Sequence, residues 1–370
     1  MTQNMDNKPA VKRESKNKIR VEFERTDLKE RLKAKFLSMY FLKRVVWYVF
    51  RLLLLVGIAF VVIQPFITMI TSSFMAPEDF VDSTVVKVPK HLSIGIYKAI
   101  VSDLNYVQMF FKTVGFSLVC AILQTFVCCL IGYGLAKFKF RGAKIVFFGA
   151  ILTLAIPHGT LQFALFYRFL HFDIFGIIKF FSGGASVGIG WIDNILSKIT
   201  LLPEACKDGL NMTETVAPLI ILSLCGLAFK NGLYIFLLRQ FFRGVPDELE
   251  ESAYLDGAST FRTFVQVILP LSVPMLITVF VFSFCWQWTD DFYLPLFIRT
   301  NSSGMMTEMG SVGVLDSLKL IHSNVTGSSP LYSRAMKYGC GLMACTPLII
   351  LYLFCQRYLV QGIERSGIVG

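Results

Sequence analysis

The sequence predicts an all-α integral membrane protein with six transmembrane helices and both termini on the cytoplasmic side, and three observations predict it. Of the 370 residues, 54% are hydrophobic and 16% charged, against roughly 45–50% and 25% in ordinary soluble domains. The apolar residues gather into six runs of the length that a bilayer requires, roughly 20 residues each. The basic residues gather on one side of those runs, as the positive-inside rule demands. The first observation excludes a disordered chain and an ordinary soluble enzyme.

Residues 1–46 form a cytoplasmic basic and amphipathic N-terminal segment, with 13 Lys/Arg against 6 Asp/Glu. Within it Asp27 and Glu30 read as a helix start. Leu28, Leu32 and Phe36 then repeat at i, i+4 among Lys29, Arg31, Lys33 and Lys35. Such a stretch lies along anionic membrane lipid, each cation adding about 1 kcal/mol; a solvated basic tail is the alternative. Residues 47–358 form the transmembrane domain. Its uncharged runs are Leu52–Ala76, Thr113–Ala136, Ile145–Tyr167 and Tyr338–Gln356, joined by Val216–Leu238, which contains Lys230, and by Leu271–Thr289. The first run begins too late for a secretory signal peptide and is expected to be retained.

Orientation follows from the connections. Inside segments 1–46 and 137–144 carry 13 and 4 basic residues, while the outside loops 71–109, 171–215 and 298–333 carry 3, 3 and 2. The two inside segments account for the whole formal charge of +11, so the basic balance records topology and does not point to nucleic acid. A Gly-rich stretch at 173–208 has no uncharged run long enough to span and is expected to be an external insertion. Residues 359–370 form a cytoplasmic tail.

Eight of nine cysteines lie in apolar runs without C-x-x-C spacing, which argues against a disulfide framework or a zinc site; Cys206 falls in a polar loop. The phosphate-binding pattern G-x-x-x-x-G-K-[ST] is missing, and the four histidines stand in no catalytic context, so neither an enzyme nor a cofactor site is expected. His158, after Pro157, reads as a helix-break residue.

One inside connection breaks the charge pattern. Segment 239–272 holds 3 Arg against 5 acids, Asp247, Glu248, Glu250, Glu251 and Asp256. Pro246 suits the first position of a helix and Asp247 and Glu248 suit its positive end. Gly257 is placed to end that helix in the left-handed conformation. A second helix is expected from Ser259 toward Leu269-Pro270, with Pro274 bending the start of the fifth span. The small residues Ser252 and Ala253, beside Leu249 and Asp256, suit docking into a partner's groove.

Glu251-Ser-Ala-x-x-Asp-Gly-Ala258, followed by Ile268-Leu-Pro270 and Pro274, resembles the EAA loop of binding-protein-dependent ABC importer permeases. It departs at Ser252 and in the Ile-Leu-Pro spacing. Tyr234–Phe242, Trp288–Phe292 with Leu294-Pro-Leu296, and Gln356–Gly362 resemble in turn the MalG-like permeases of carbohydrate importers. The resemblance covers roughly 50–370 and implies a type I importer fold in a bacterial cell membrane. It implies that the loop is a cytoplasmic coupling helix seated in the cleft of a separate ABC ATPase dimer. Glu250, Glu251, Ser252, Ala253, Asp256, Gly257 and Ala258 would form that site, Glu251 making the charged contact and Gly257 the turn. The implied partners are a second, MalF-like permease and an extracytoplasmic sugar-binding protein. The tail Gly362–Gly370 resembles one that reaches the ATPase interface, with Val369 replacing the usual Lys.

A sugar is recognised by aromatic faces and by amide or carboxylate groups, and Trp286, Gln287, Trp288, Asp290 and Asp291 offer both at the end of the fifth span. The alternative is an interfacial aromatic belt. Lys230 is expected to pair with a carboxylate or to snorkel. Rival functions are import of a polyamine or phosphate by the same machinery, and transport without an ATPase.

Overall fold

The computed structural model describes residues 39–80, 82, 84–85, 88–103, 105–174, 177–181, 208–298 and 330–367. The amphipathic stretch at 27–36, most of the 173–208 insertion with Cys206, and nearly all of the 298–333 loop lie outside the described residues. Among the described residues helix dominates, and β pairing is confined to the isolated bridges Met75–Leu92 and Phe172–Leu210.

The chain divides into two compact units, Met1–Thr68 and Met69–Gly370. Of the first, residues 39–68 are described, and all belong to helix α1 (Met39–Ser73). That helix is apolar around its circumference, with exposed side chains such as Leu53 and Val61, as suits a helix whose solvent is lipid.

In the second unit the loop leading to α2 (Gly95–Asp103) is closed by Asp79. Its buried carboxylate accepts from the backbone N–H groups of Lys90 (2.9 Å) and His91 (3.0 Å) and meets His91 Nδ1 at 2.9 Å. Helix α3 (Tyr106–Lys137) is the central post. After it come α4 (Ala143–Ala155), α5 (His158–Leu170) and α6 (Ile177–Phe181). Then follow α7 (Ala217–Leu224), α8 (Asn231–Arg243), α9 (Glu248–Leu255) and α10 (Thr260–Leu271). The described part closes with α11 (Val273–Trp288), α12 (Tyr293–Phe297) and α13 (Pro330–Gly367). Helix α3 packs on α7, α8 and α11; α11 also packs on α13, and α8 on α4.

Among the described residues three helical stretches are long and apolar enough to cross a membrane, Leu42–Ser73, Tyr106–Lys137 and Arg334–Gly362, and up to five if each bent pair counts as one. The expected third span, Ile145–Tyr167, is two helices bent by 107°. Pro157 offers no N–H to a helix, and the residue before it, Ile156, is driven to ψ 121. The expected fourth span, Val216–Leu238, is not one helix either. Gly226 (φ 69) and Lys230 (φ 64) adopt the left-handed conformation, which ends a right-handed helix, so α7 and α8 are separate. The bend before the fifth span is present, 76° between α10 and α11, but it falls at Ser272. Pro274 sits in the first turn of α11, where its missing N–H costs nothing. The residues Phe264–Ile268 of α10 are wound as π-helix.

Close helix crossings rest on small residues. A Cβ on Gly132 would stand 2.9 Å from Leu238 Cβ, and one on Gly232 would collide with the Ala150 carbonyl oxygen and stand 2.5 Å from Thr153 Oγ1. Gly232→Ala should therefore separate α8 from α4 and cost about 1–3 kcal/mol. Gly149→Ala, which meets nothing within 4 Å, should be neutral or slightly stabilising. Thermal unfolding in detergent checks the pair, and equal midpoints would refute this account of the crossing.

Candidate functional site

The acidic loop is built from the backbone outward. Gly244 closes α8, and Val245 turns into the core. Helix α9 begins two residues after Pro246, with Asp247 at its N-cap in helical backbone conformation and no side-chain cap. Glu248, Glu250 and Glu251 fill the first turn, where negative charge complements the helix dipole. At the other end Gly257 takes φ 79. Its N–H donates to the Tyr254 carbonyl (3.0 Å), and that of Ala258 to the Ala253 carbonyl (3.0 Å). This is the paired closure that a left-handed residue makes possible. Ser259 starts α10, its hydroxyl accepting from Arg262 N–H at 3.4 Å.

The Asp247 side chain is free of capping duty because it is engaged elsewhere. Lys137, the last residue of α3, has a side chain only 7% exposed. Its ammonium donates to the Val245 carbonyl at 2.8 Å and to Asp247 Oδ1 at 2.6 Å. Glu250 Oε1, buried and without a hydrogen-bond donor, lies 3.5 Å from the same nitrogen. The hydrogen bond from Lys137, and then its charge, hold the Asp247 carboxyl below its ordinary pKa. Beneath the loop the Tyr133 ring packs on Phe264 (4.6 Å between centroids), Phe138 and Phe242.

The two faces of α9 differ accordingly. Glu250 points inward to Lys137. Glu251, Ser252, Asp256 and Gly257 are exposed, with Ala253 and Ala258 half-buried. Beside them stand exposed apolar side chains, Leu255 (90%), Phe261 (75%), Leu249 and Tyr254. The predicted set is thus brought together on one projection, apart from Glu250, which is turned to its base. Sequence reasoning missed Lys137, Leu255 and Phe261. Lys137 was visible only as one more basic residue of an inside connection, since its partners lie more than 100 positions away.

The second predicted set does not share one surface. Trp288 is 1% exposed; its indole N–H donates to the Ala344 carbonyl at 3.0 Å, and its ring stacks on Phe284. Asp290 accepts from the N–H groups of Phe292 (3.1 Å), Tyr293 (2.8 Å) and Leu294 (3.2 Å), holding the first turn of α12. Asp291 is exposed. Gln287 belongs to a polar chain through the helices: Gln124 Nε2 donates to Ser223 Oγ (3.2 Å) and Gln287 Oε1 (3.4 Å), and Ser283 Oγ donates to Gln124 Oε1 (2.6 Å). Trp286 faces Phe229, ring centroids 4.9 Å apart. Lys230 pairs with no carboxylate among the described residues. Its ammonium lies 4.7 Å from the Phe229 ring centre and 5.2 Å from that of Trp286. His158 opens α5 behind Pro157, its ring 4.3 Å from Phe229 and its Nδ1 3.5 Å from the Tyr293 hydroxyl. Of the tail, residues up to 367 continue α13 and the rest lie outside the described residues.

Residues 129–365, more than half of the chain, match the family described as binding-protein-dependent transport system inner membrane component. The polygalacturonan/rhamnogalacturonan transport system permease protein YtcP of Bacillus subtilis (strain 168) is 22% identical, over 84% of this chain and 94% of its own. The galactooligosaccharides transport system permease protein GanQ of the same organism is 24% identical, over 89% and 98%. Among solved structures, a bacterial ABC transporter involved in the import of the acidic polysaccharide alginate superposes with a TM-score of 0.58. It is 18% identical and covers 85% of this chain and 97% of its own.

Proposed function

The chain belongs to the family of binding-protein-dependent transport system inner membrane components and is a multi-pass protein of the cell membrane, and from that premise we propose that it is a permease subunit of an ABC importer for carbohydrate. In this reading it lines a translocation pathway together with a second permease. A cytoplasmic ATPase dimer hydrolyses ATP, and an extracytoplasmic binding protein delivers the sugar. Residues 47–358 cross the membrane six times, some spans being broken helices, with the basic segment 1–46, the acidic loop and the tail 359–370 on the cytoplasmic side. The 173–208 insertion faces outward.

The observation that carries the reading is the loop around α9. Its short helix is stopped by a left-handed glycine, shows acids and apolar side chains on its outer face, and is fastened by Lys137 to the end of the central post. A passive connection needs neither an exposed apolar face nor a buried ammonium at its base. Force applied to α9 by a closing ATPase would reach α3 through the Lys137 contacts and α11 through α10. The chain itself makes and breaks no covalent bond; it alternates between two arrangements whose balance the ATPase shifts by binding one of them better. The carbohydrate assignment is supported by what the named relatives transport.

Reconstitution tests the proposal. The purified chain, co-reconstituted in liposomes with its second permease, ATPase and binding protein, should take up a labelled oligosaccharide only when ATP is inside. Uptake by the chain alone, driven by an ion gradient, would refute the coupling role.

A further inference from the structure

Lys230 has no part in the coupling loop, and its surroundings lack the one group that an ammonium calls for. It stands in the break between α7 and α8, at the N-cap of α8 with φ 64. A cation there adds to the positive end of a helix, the opposite of the arrangement that stabilises a helix on its own. It also stands within a run otherwise uncharged from Val216 to Leu238, where an unpaired charge is costly and by default functional. Among the described residues no carboxylate lies within 4.0 Å, and the contacts of the ammonium are the ring faces of Phe229 and Trp286. Trp286 is 45% exposed, so part of its indole is open beside it.

From this conjunction we propose that Lys230 and Trp286 form a subsite for the carboxylate of an acidic sugar, so that the solute carried contains uronic acid units. The proposal rests on the carbohydrate-importer reading. The C–H face of the sugar ring lies on Trp286, and its carboxylate supplies the ion pair that Lys230 lacks. Burying a carboxylate without such a cation is prohibitive, whereas a neutral sugar gains nothing from the ammonium. The same residues thus favour the acidic solute and disfavour the neutral one.

The complete transporter in liposomes, assayed with trigalacturonate and with neutral galactotriose, tests this. The wild type should carry trigalacturonate. Lys230→Gln should lower that uptake roughly tenfold or more, as expected for loss of a charged hydrogen bond, and Lys230→Arg should keep most of it. Unchanged trigalacturonate uptake in Lys230→Gln would overturn the proposal. So would equal loss in the Gln and Arg variants, which marks a structural role. A wild type that carries galactotriose and not trigalacturonate would overturn the subsite while leaving the importer reading intact. ATP-independent uptake, or no uptake of any carbohydrate, would instead overturn that reading.

Discussion

Lys137→Met should leave the membrane helices assembled and cut ATP-driven uptake at least tenfold, while ATP hydrolysis by the complex loses its dependence on solute. Three contacts converge on the ammonium. Removing it strands the Val245 carbonyl and leaves the 8%-exposed Glu250 as an uncompensated charge, a loss on the order of 3–5 kcal/mol for a fully buried pair. That figure is an upper bound for the loop base, whose Asp247 carboxylate already faces water. The strain falls on the loop and not on the spans, because the aromatic packing of Tyr133, Phe242 and Phe264 does not use Lys137. Two companions separate charge from tether. Lys137→Arg should retain part of the activity through its own donors. Lys137→Met with Glu250→Gln should recover protein stability without recovering uptake. If the double variant transports normally, the tether has no mechanical role.

The sign of any pH effect follows from Asp247. Its pKa is depressed by Lys137, so its contribution to holding the loop is present above the unfolded value of about 3.9 and is lost as pH falls through the folded one. The tether is accordingly intact throughout the neutral range.

Leu255→Asp should release the ATPase. The side chain is 90% exposed at the tip of α9, so the variant costs the isolated chain almost nothing, within about 0.5 kcal/mol. If Leu255 is buried in the partner's cleft, it contributes roughly 1.5–3 kcal/mol there. An aspartate in its place must also be desolvated without a partner. Together these amount to a loss of affinity of about 100-fold or more. Recovery of the ATPase on the affinity-tagged permease, in detergent, reads this directly, with Leu255→Ala expected between the two. Undiminished recovery would place the docking face elsewhere.

How much of this was legible in the sequence depended on range. Local chemistry spoke clearly: Gly257 takes the left-handed turn expected of it, Ser259 caps the next helix, and five acids in a loop of an otherwise basic side marked the projection. Composition gave the membrane and the helical class. Hydropathy did not give helix continuity, because a run of apolar residues reads the same whether straight or broken. The signals of breakage, Pro157 and the polar Lys230-Asn-Gly232 inside the fourth run, were present but weigh little in an average over twenty residues. The roles within the Trp286–Asp291 stretch were not legible at all. Neighbours in sequence diverge there: Trp288 turns into the core, Trp286 outward, and Asp290 down onto its own backbone. Only packing separates them.

The fastening at Lys137 also bears on how such proteins can be recombined. Segment 239–272 has the look of a cassette, bounded by helix ends and carrying its own caps and turn. Yet its base is completed by a residue encoded more than 100 positions earlier, at the last turn of another helix. One residue inserted into that helix would swing the ammonium by about 100°. The loop is therefore not a portable module: a chimaera that exchanges it must exchange the end of α3 with it, and keep the length of α3 unchanged.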